Sequence, residues 1–323
     1  MAHAMVIHAV GGPEAMQWEA VELPAPGPGQ ALIRHHAVGV NFIDVYHRTG
    51  LYPLPLPLTP GSEGAGEVLA VGPDVTNVKV GDRVAYGTAR GSYAEERIID
   101  AGALVKLPDA ISYDTAAAMM LKGLTAQYLL RQTFVLKAGH VILVHAAAGG
   151  VGLILTQWAK HIGATVIGTA GSQEKADLAK EAGCDHVILY RDEDFAARVK
   201  EITGGQLCDV VYDGVGKDTF MGSLDCLKPR GLMVSFGNAS GPVDAFNLGI
   251  LAAKGSLYVT RPTLATHAST PARLATMAAD LFEVVASGAV KIPVHGHYPL
   301  SQAPQAHRDL EARRTTGATV LKP

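Results

Sequence analysis

The stretch from Val141 to about residue 235 constrains the fold most, because strand-like and helix-like segments alternate along it. The strand-like segments are continuous apolar runs, which is typical of parallel strands buried on both faces. They read VILVHA, ATVIGTA, HVILY, CDVVYDGV and LMVSFG. The segments between them, such as GVGLILTQWAKHI, have helical character, and one helix is expected to end near Pro229. This alternation predicts a doubly wound parallel α/β sheet.

The first 120 residues have a different character, with short β-like runs such as QALIRHHAVGVN and AGEVLAVG separated by Gly and Pro. This pattern predicts a β-rich domain with barrel-like curvature. The proline-rich segment YPLPLPLTPG (residues 52–61) cannot pair as a central strand and is expected to be an extended surface loop. The residues beyond Arg261 are expected to return to this first domain.

A glycine-rich turn follows the VILVHA strand and opens the next helix, which is where a dinucleotide fingerprint has to lie. Its small residues are Ala147, Gly149 and Gly152, with alanine in place of the usual first glycine. Such a turn brings the backbone close to a pyrophosphate and offers it the N–H groups of the helix N-terminus. The turn therefore predicts dinucleotide binding, and the alternative is a purely structural turn.

The end of the second strand decides which dinucleotide is expected. An NAD site usually has Asp or Glu there, to bind the ribose 2′-hydroxyl. Here the strand ends at Ala170 without an acid, and Ser172 and Lys175 follow, where they can meet a 2′-phosphate. Tyr190, at the end of the next strand, is expected near the adenine. This arrangement favours NADPH, and the alternative is that Lys175 is only a solvated helix residue.

Charge and cysteine usage exclude several classes of protein. Lys and Arg number 27 against 30 Asp and Glu, a formal net charge of −3, which argues against binding along a nucleic acid. The three cysteines form no CxxC pair, as expected for free thiols in a reducing cytoplasm. No signal peptide is expected, and no apolar run is long enough to predict a membrane helix.

Longer motifs extend over the whole chain, among them NFIDVYHRTGLYP, LKGLTAQYLLR, HAAAGGVGLI, SLDCLKPRGLMVSFGN and KGSLYVTRP. With these motifs the sequence resembles the zinc-free quinone oxidoreductases, the zeta-crystallin-like branch of the medium-chain dehydrogenase/reductase superfamily. Bacterial NADPH:quinone reductases are the nearest relatives that we would name. The resemblance implies a GroES-like β-rich catalytic domain (residues 1–124 and 262–323) and a Rossmann domain for NADPH (residues 125–261).

The resemblance also implies a set of site residues. The pyrophosphate turn would consist of Ala147, Gly149, Gly150, Val151 and Gly152. The 2′-phosphate end would be held by Gly171, Ser172, Lys175 and Tyr190. The nicotinamide half would contact Phe236, Gly237, Asn238 and Ser240, with Val259, Thr260 and Arg261 beyond them. Asn41, Tyr46 and Tyr52 would be catalytic, with Asp44 and Tyr128 beside them as cofactor contacts.

Taken alone, the residues from Asn41 to Tyr52 are equally consistent with a turn and a surface. Zinc-dependent relatives have a catalytic Cys where this chain has Asn41, and Gly-His-Glu where it has Gly61-Ser62-Glu63. Without thiolate or imidazole ligands a closed zinc site cannot form, so no metal is expected. Asp44 and Glu63 are interpreted as buried turn carboxylates, with an acid/base pair as the alternative.

The function that the resemblance implies is NADPH-dependent reduction of quinones without zinc. Hydrogen bonds from Asn41, Tyr46 and Tyr52 would stabilise the acceptor oxygen as it gains negative charge. One alternative is a 2-alkenal or enone reductase, and another is a non-catalytic NADPH-binding protein of the crystallin or RNA-binding kind. The residues do not decide between one-electron and two-electron transfer. A homodimer that joins the edge segment SLYVT (256–260) of two copies is expected.

Overall fold

The computed structural model describes residues 2–323. They form two compact units. The β-rich unit contains residues up to 124 together with 268–286 and 292–323. The parallel-sheet unit contains residues 125–267 and 287–291. Residues 262–267 and 287–291, which the resemblance assigns to the β-rich domain, belong to the parallel-sheet unit. In that unit the ring of His267 stacks on that of Tyr128.

The strands, in chain order, are β1 (Ala2–Ile7), β2 (Met16–Val21), β3 (Gln30–Gly39), β4 (Glu63–Val71), β5 (Arg83–Tyr86), β6 (Glu96–Asp100), β7 (Val105–Lys106), β8 (Val141–Val144), β9 (Thr165–Ala170), β10 (His186–Leu189), β11 (Cys208–Asp213), β12 (Leu227–Ser235), β13 (Tyr258–Thr260), β14 (Val294–Pro299) and β15 (Ala318–Lys322). The helices are α1 (Phe42–Thr49), α2 (Tyr113–Tyr128), α3 (Gly150–Ile162), α4 (Gln173–Glu181), α5 (Phe195–Ile202), α6 (Phe220–Asp225), α7 (Gly249–Ala253), α8 (Leu264–His267), α9 (Pro271–Ala286) and α10 (Ala303–Glu311). A π-helical turn, Leu129–Thr133, continues α2.

The parallel-sheet unit is built on a six-stranded sheet with the order β10-β9-β8-β11-β12-β13, and every pairing in it is parallel. The order is that of a doubly wound Rossmann sheet, so the fold predicted from the strand–helix alternation is confirmed. In such a sheet, ligands bind beyond the carboxyl ends of the strands, where the order reverses between the first and fourth strands. Here those strands are β8 and β11.

The central strands form where they do because their side chains are apolar on both faces. Leu143, Ile167, Val211 and Met233, one from each of β8, β9, β11 and β12, lie together in one fully buried cluster. Parallel strands covered by helices on both faces need such continuous apolar runs. The sequence pattern therefore located these strands correctly.

The expectation of a helix ending near Pro229 is wrong. Helix α6 ends at Asp225, and Pro229 lies inside β12. Proline lacks an N–H group, so it is tolerated in a strand only where no ladder bond is needed. Pro229 lies in the part of β12 that does not pair with β11, because the two strands pair at Leu227 and then only from Leu232 onward, after a shift in register.

The β-rich unit contains a seven-stranded sheet in which β14-β15-β3-β4-β5-β7 are neighbours and β6 also pairs with β3. Strand β15 pairs antiparallel with β3, so the end of the chain returns to this unit. His35 and His36 on β3 alternate between buried and exposed, as period-two strand geometry requires. The proline-rich segment (residues 52–61) forms no strand, and its one β-type pairing is an isolated antiparallel bridge between Leu58 and Ile7.

No helix within residues 2–323 has the length and apolar character needed to span a membrane. The three cysteines, Cys184, Cys208 and Cys226, are buried and free. Burial raises the pKa of the Cys184 thiol to about 11 and that of the Cys208 thiol to about 12. These thiols therefore stay protonated at neutral pH and pack as small apolar side chains.

Candidate functional site

The turn between β8 and α3 lies at the predicted position beyond the carboxyl end of β8. The residue with left-handed backbone is Ala146, with a φ of 52°, and not Ala147. Ala147 is fully buried, and its N–H donates to the Thr169 carbonyl oxygen at 3.0 Å. Alanine replaces the usual first glycine at position 147 without strain, because the chain reverses one residue earlier.

The start of α3 has the form of an anion-binding site. Gly149 caps the helix in extended conformation, and the first bond of the helix runs from Leu153 N–H to the Gly149 carbonyl oxygen at 2.9 Å. The N–H groups of Gly150, Val151 and Gly152 precede that bond, so the helix itself does not use them. Their direction and the helix dipole both favour a phosphate group at this end.

Gly152 is the position in this turn that cannot accept a side chain. A Cβ atom there would lie 2.4 Å from the Ala146 carbonyl oxygen and 2.8 Å from the Ala147 Cα atom. At Gly149 the closest atom would be the same carbonyl oxygen, at 3.1 Å. The glycine at 152 therefore allows the turn to pack closely on the helix, as a dinucleotide fingerprint requires. The turn fits a pyrophosphate group.

The residues expected at the 2′-phosphate end come together beyond β9 and β10. Strand β9 ends at Ala170, and a Cβ atom on Gly171 would lie 2.7 Å from the Tyr190 hydroxyl oxygen. Ser172 is the N-cap of α4, and its Oγ accepts from the Lys175 N–H at 3.4 Å. Lys175 thus lies in the first turn of α4. This group contains one cation and no acid at the strand end, which suits a phosphate.

The loop after β12 contains the residues expected at the nicotinamide half. A Cβ atom on Gly237 would lie 2.3 Å from the Gly214 carbonyl oxygen, so the loops after β11 and β12 pass very close to each other. The Ser240 hydroxyl donates to the Val215 carbonyl oxygen at 3.0 Å and accepts from the Asp218 N–H at 3.1 Å. The side chain of Ser240 therefore joins the two loops.

Arg261 follows the edge strand β13 and supports the same loop. Its Nη1 donates to the Ser235 hydroxyl at 3.1 Å and to the Gly237 carbonyl oxygen at 2.9 Å. Val259 and Thr260 pair in register with Met233 and Val234 of β12. Phe236 and Asn238 are half-buried on this loop. The predicted residues after β12 and β13 therefore form one connected group.

Tyr128 is buried in the parallel-sheet unit. Its ring stacks on that of His267, with centroids 4.6 Å apart and planes 4° apart. Burial raises the pKa of its hydroxyl, and the nearby Arg261 guanidinium opposes that rise. The hydroxyl therefore stays protonated at neutral pH and remains a hydrogen-bond donor.

A buried polar network under the phosphate turn was missed at the sequence level. The His145 ring lies between two hydroxyl groups. Its Nδ1 is 3.0 Å from Thr169 Oγ1 and its Nε2 is 2.9 Å from Ser223 Oγ. Burial lowers the pKa of this imidazole. Asp213 then accepts from the N–H groups of Val215 and Gly216 at 2.7 and 3.0 Å. Because the Ser223 hydroxyl also donates to Asp213 at 3.4 Å, the network connects the end of β8 to β9, to α6 and to the loop after β11.

In the β-rich unit, Asn41 and Asp44 form the start of α1. The Asn41 N–H donates to Asp44 Oδ2 at 3.0 Å. The Asp44 carboxylate also accepts from the Ser62 hydroxyl at 2.8 Å and the Tyr93 hydroxyl at 3.1 Å. Asp44 is fully buried, and its bonds remain within this unit. Its side chain therefore holds the helix start and the Ser62 turn in place, and its contact with the cofactor stays a prediction.

Burial changes the ionisation of Asp44. The loss of solvation raises the pKa of this carboxyl to about 7, although three hydrogen bonds favour its charged form. The neighbouring Glu63 charge adds to the rise. A carboxyl with this pKa changes its charge near neutral pH, a property that local sequence does not indicate.

Glu63 lies beside Asn41 and is part of a buried ion pair. Its Oε1 accepts from Asn41 Nδ2 at 2.9 Å and from the Lys122 ammonium group. Its Oε2 accepts from the Leu121 N–H at 2.7 Å. Glu63 is fully buried and Lys122 is 7% exposed on its side chain. Lys122 was not among the predicted residues, because nothing in its local sequence indicates a distant carboxylate partner.

Tyr46 and Tyr52 meet at the other end of α1. Their ring centroids are 5.1 Å apart, and the Tyr52 N–H donates to the Tyr46 carbonyl oxygen at 3.1 Å. Gly50, with a φ of 79°, ends the helix and turns the chain back so that the two rings can touch. The structure therefore brings these two predicted residues together.

Zinc does not fit the residues that stand where zinc-dependent relatives have their ligands. Asn41 and Ser62 offer an amide and a hydroxyl, and Lys122 places a cation against Glu63. Zinc sites in proteins need thiolate, imidazole or carboxylate donors that are free to coordinate. Within residues 2–323 no cluster of three or more His, Cys, Asp or Glu side chains is arranged to hold a metal ion.

Two family models match the chain. The model described as the alcohol dehydrogenase GroES-like domain matches residues 27–109, and that of the zinc-binding dehydrogenases matches residues 150–279. A quinone oxidoreductase of Pseudomonas aeruginosa is 55% identical over the full length of both chains. The chain belongs to the quinone oxidoreductase branch of the medium-chain dehydrogenase/reductase superfamily.

Two further members of this superfamily extend the comparison. The crystal structure of Escherichia coli quinone oxidoreductase complexed with NADPH has a TM-score of 0.98 and 50% identity, and the match covers 99% of this chain and 100% of that one. A 2-haloacrylate reductase from Burkholderia is 46% identical over 100% of this chain and 99% of its own. The quinone oxidoreductase fold thus includes relatives named for different acceptors.

Proposed function

We propose that this quinone oxidoreductase family member reduces quinones with NADPH and without a metal ion. The observation that carries the proposal is the arrangement at the carboxyl edge of the parallel sheet. The phosphate turn before α3, the Ser172–Lys175 pair and the loop after β12 all follow carboxyl ends of strands of one sheet. The full-length relationship to a protein crystallised with NADPH supports the same cofactor.

The residues that would hold NADPH differ in chemistry along the cofactor. The N–H groups of Gly150, Val151 and Gly152 would bind the pyrophosphate, and Ser172 with Lys175 would bind the 2′-phosphate. The loop from Phe236 to Ser240 would contact the nicotinamide half. When bound, the nicotinamide supplies a hydride, and the protein has to position the acceptor and exclude water.

The acceptor would be stabilised by neutral hydrogen-bond donors. One N–H of the Asn41 carboxamide is used by Glu63, and the amide nitrogen carries a second one. This second N–H and the hydroxyl groups of Tyr46 and Tyr52 would donate to the acceptor oxygen as it gains negative charge. A quinone is already strongly electrophilic, so it needs no Lewis acid, whereas a simple ketone needs more assistance.

The experiment that tests the proposal is a steady-state comparison of acceptors. We expect NADPH oxidation, measured under anaerobic conditions, to be fast with 1,4-benzoquinone and slow when NADH replaces NADPH. A high kcat/KM with NADH would contradict the assignment of Ser172 and Lys175. Absence of turnover despite tight NADPH binding would favour a non-catalytic NADPH-binding protein.

A second candidate is reduction of an activated C=C bond, and the identity with 2-haloacrylate reductase supports it. The same fold and cofactor would serve, with hydride delivered to the β-carbon of the acceptor. Parallel assays with a 2-alkenal separate the two functions. Turnover with the alkenal alone would replace quinone reduction by ene reduction and leave the cofactor assignment intact.

We also propose a cytoplasmic homodimer. Strand β13 is an edge of the parallel sheet, and Tyr258 on it is 56% exposed. An unpaired edge strand with an exposed aromatic side chain favours pairing with a second copy. Three buried free thiols suit a reducing compartment. Light scattering of the purified protein at the mass of one chain would contradict the dimer.

A further inference from the structure

A pocket of about 320 Å³ lies within the β-rich unit. Its walls are formed by the end of α1, the proline-rich loop and the turn that precedes Tyr93. The principal residues lining it are His47, Leu54, Pro55, Leu58, Pro60 and Arg90. The four residues from the proline-rich loop form an apolar wall, and His47 and Arg90 are the side chains of the pocket that carry N–H groups. Neither of these two residues has a role in the cofactor or acceptor site described above.

His47 presents a neutral imidazole to this pocket. The residue is only 6% exposed, and its ring nitrogens make no hydrogen bond to any residue of the described chain. Burial lowers its pKa to about 4, and the positive charge of Arg90 contributes to the shift. A neutral imidazole has one N–H donor and one acceptor nitrogen, so His47 can donate a hydrogen bond to a bound ligand.

Arg90 is the positive charge of the pocket. Its side chain is exposed, and across residues 2–323 no carboxylate pairs with it. By comparison, Arg34 of the same unit forms an ion pair with Glu96 at 2.9 Å. A guanidinium group that has no carboxylate partner and lies beside an apolar wall is suited to a planar anion.

His47, in the wall of the pocket, connects it to the tyrosines proposed to contact the acceptor. The His47 ring lies edge-on to the Tyr52 ring with centroids 6.4 Å apart, and Tyr52 in turn contacts Tyr46 at 5.1 Å. A molecule in the pocket would therefore contact His47 and lie one side chain away from Tyr52, within the same unit. Its charged group could remain near Arg90 while its ring approached the tyrosines.

We propose that this pocket binds an aromatic carboxylate, and that it thereby selects acceptors whose ring carries a carboxylate. One guanidinium matches a single negative charge, whereas a phosphate monoester carries nearly two at neutral pH. The volume is at the small end of ligand pockets, which suits a molecule of one or two rings. The selection of acceptors rests on the proposed function, while binding of the carboxylate does not.

Binding without turnover tests the pocket itself. The probes are 2-naphthoate and its uncharged analogue 2-naphthalenemethanol, titrated into the full-length protein without NADPH and followed by calorimetry. We expect the carboxylate to bind about tenfold more tightly, and Arg90→Gln to remove that preference. Arg90→Lys should retain part of it, since the charge stays but the planar fork is lost.

Arg34→Gln is the matched control, because it removes a surface arginine of the same unit outside the pocket. It should leave the preference for naphthoate unchanged. Equal affinity for both probes, absence of naphthoate binding, or a preference that survives Arg90→Gln would each overturn the proposal.

Acceptor selection is tested by kcat/KM for a carboxylated 1,4-naphthoquinone against its methyl ester. The expected ratio is about tenfold in favour of the acid, and close to one in Arg90→Gln, with the ester unaffected by the substitution. An unchanged ratio in Arg90→Gln would overturn the selection. If neither quinone is reduced, the proposed function fails, and the naphthoate titration still decides whether the pocket binds carboxylates.

Discussion

Lys122 donates a hydrogen bond from its ammonium group to the carboxylate of Glu63, and both side chains are buried. The oxygen that accepts from Lys122 also accepts from Asn41 Nδ2 at 2.9 Å. The ion pair therefore fixes the orientation of the Asn41 carboxamide, which we propose as a donor to the acceptor. Lys122 acts through Glu63 and Asn41, so it is a positioning residue.

Removing Lys122 should destabilise the protein strongly. In Lys122→Met the Glu63 carboxylate loses its cation in a buried site, and breaking such pairs typically costs about 3–5 kcal/mol. We expect a marked decrease in the thermal unfolding midpoint measured by calorimetry. In the double variant Lys122→Met, Glu63→Gln no charge is left unpaired, so it should be more stable than Lys122→Met. A midpoint for Lys122→Met equal to that of the wild type would refute the buried pair.

The stability of the protein should depend on the ionisation of Asp44. Its pKa is raised from 3.8 to about 7 in the folded state, so folding favours the protonated form. The corresponding stabilisation is complete below about pH 4 and is lost as the pH rises to about 7. Asp44→Asn, which cannot ionise, lacks this dependence. We therefore expect the unfolding midpoint of the wild type to fall relative to that of Asp44→Asn across this range, and a constant difference would contradict the shift.

The phosphate turn should not tolerate a side chain at Gly152. The added Cβ atom of Gly152→Ala would lie 2.4 Å from the Ala146 carbonyl oxygen, so the backbone of the turn has to move. We expect NADPH affinity, measured by fluorescence titration, to decrease at least about tenfold. Gly249→Ala is the control in the same unit, because its Cβ atom would approach only the flexible Asn247 side chain. Loss of affinity in both variants would mean that the effect is not local.

Preference for NADPH over NADH should depend on Lys175. Loss of a charge-assisted hydrogen bond to the 2′-phosphate costs about 1.5–3 kcal/mol, so Lys175→Gln should lower kcat/KM for NADPH about ten- to hundredfold. The value for NADH, which lacks this phosphate, should not change. Lys180→Gln, in the last turn of the same helix, is the control. An equal decrease in kcat/KM with both cofactors would mean that Lys175 stabilises the helix and does not bind the 2′-phosphate.

The parallel-sheet unit could be predicted from the sequence because its information is local. Apolar runs give the strands, and the glycines from Gly149 to Gly152 mark the start of α3. Parallel strands then bring their carboxyl ends to one edge, which places residues such as Gly171 and Phe236 at that edge. The position of the left-handed residue, Ala146, was not predictable, because alanine gives no signal for a positive φ.

The candidate site residues of the β-rich unit were harder to predict because their contacts join residues that are distant in sequence. Glu63 and Lys122 are 59 residues apart, and Arg48 pairs with Glu311 across 263 residues. Periodicity and spacing report only on neighbours within an element, so they cannot reveal such pairs. Asp44 shows the same limit, since its role follows from the burial of its carboxylate among Ser62 and Tyr93.

The most direct test of quinone reduction by this protein is a single turnover with NADPH deuterated at the transferred position of C4. Enzyme and cofactor in equal amounts are mixed with 1,4-benzoquinone without oxygen, and absorbance at 340 nm is followed together with hydroquinone formation. We predict one hydroquinone per NADPH consumed and a slower reaction with deuterium, since the hydride is transferred on the enzyme. NADPH that remains bound and unoxidised in the presence of quinone would contradict the proposed function.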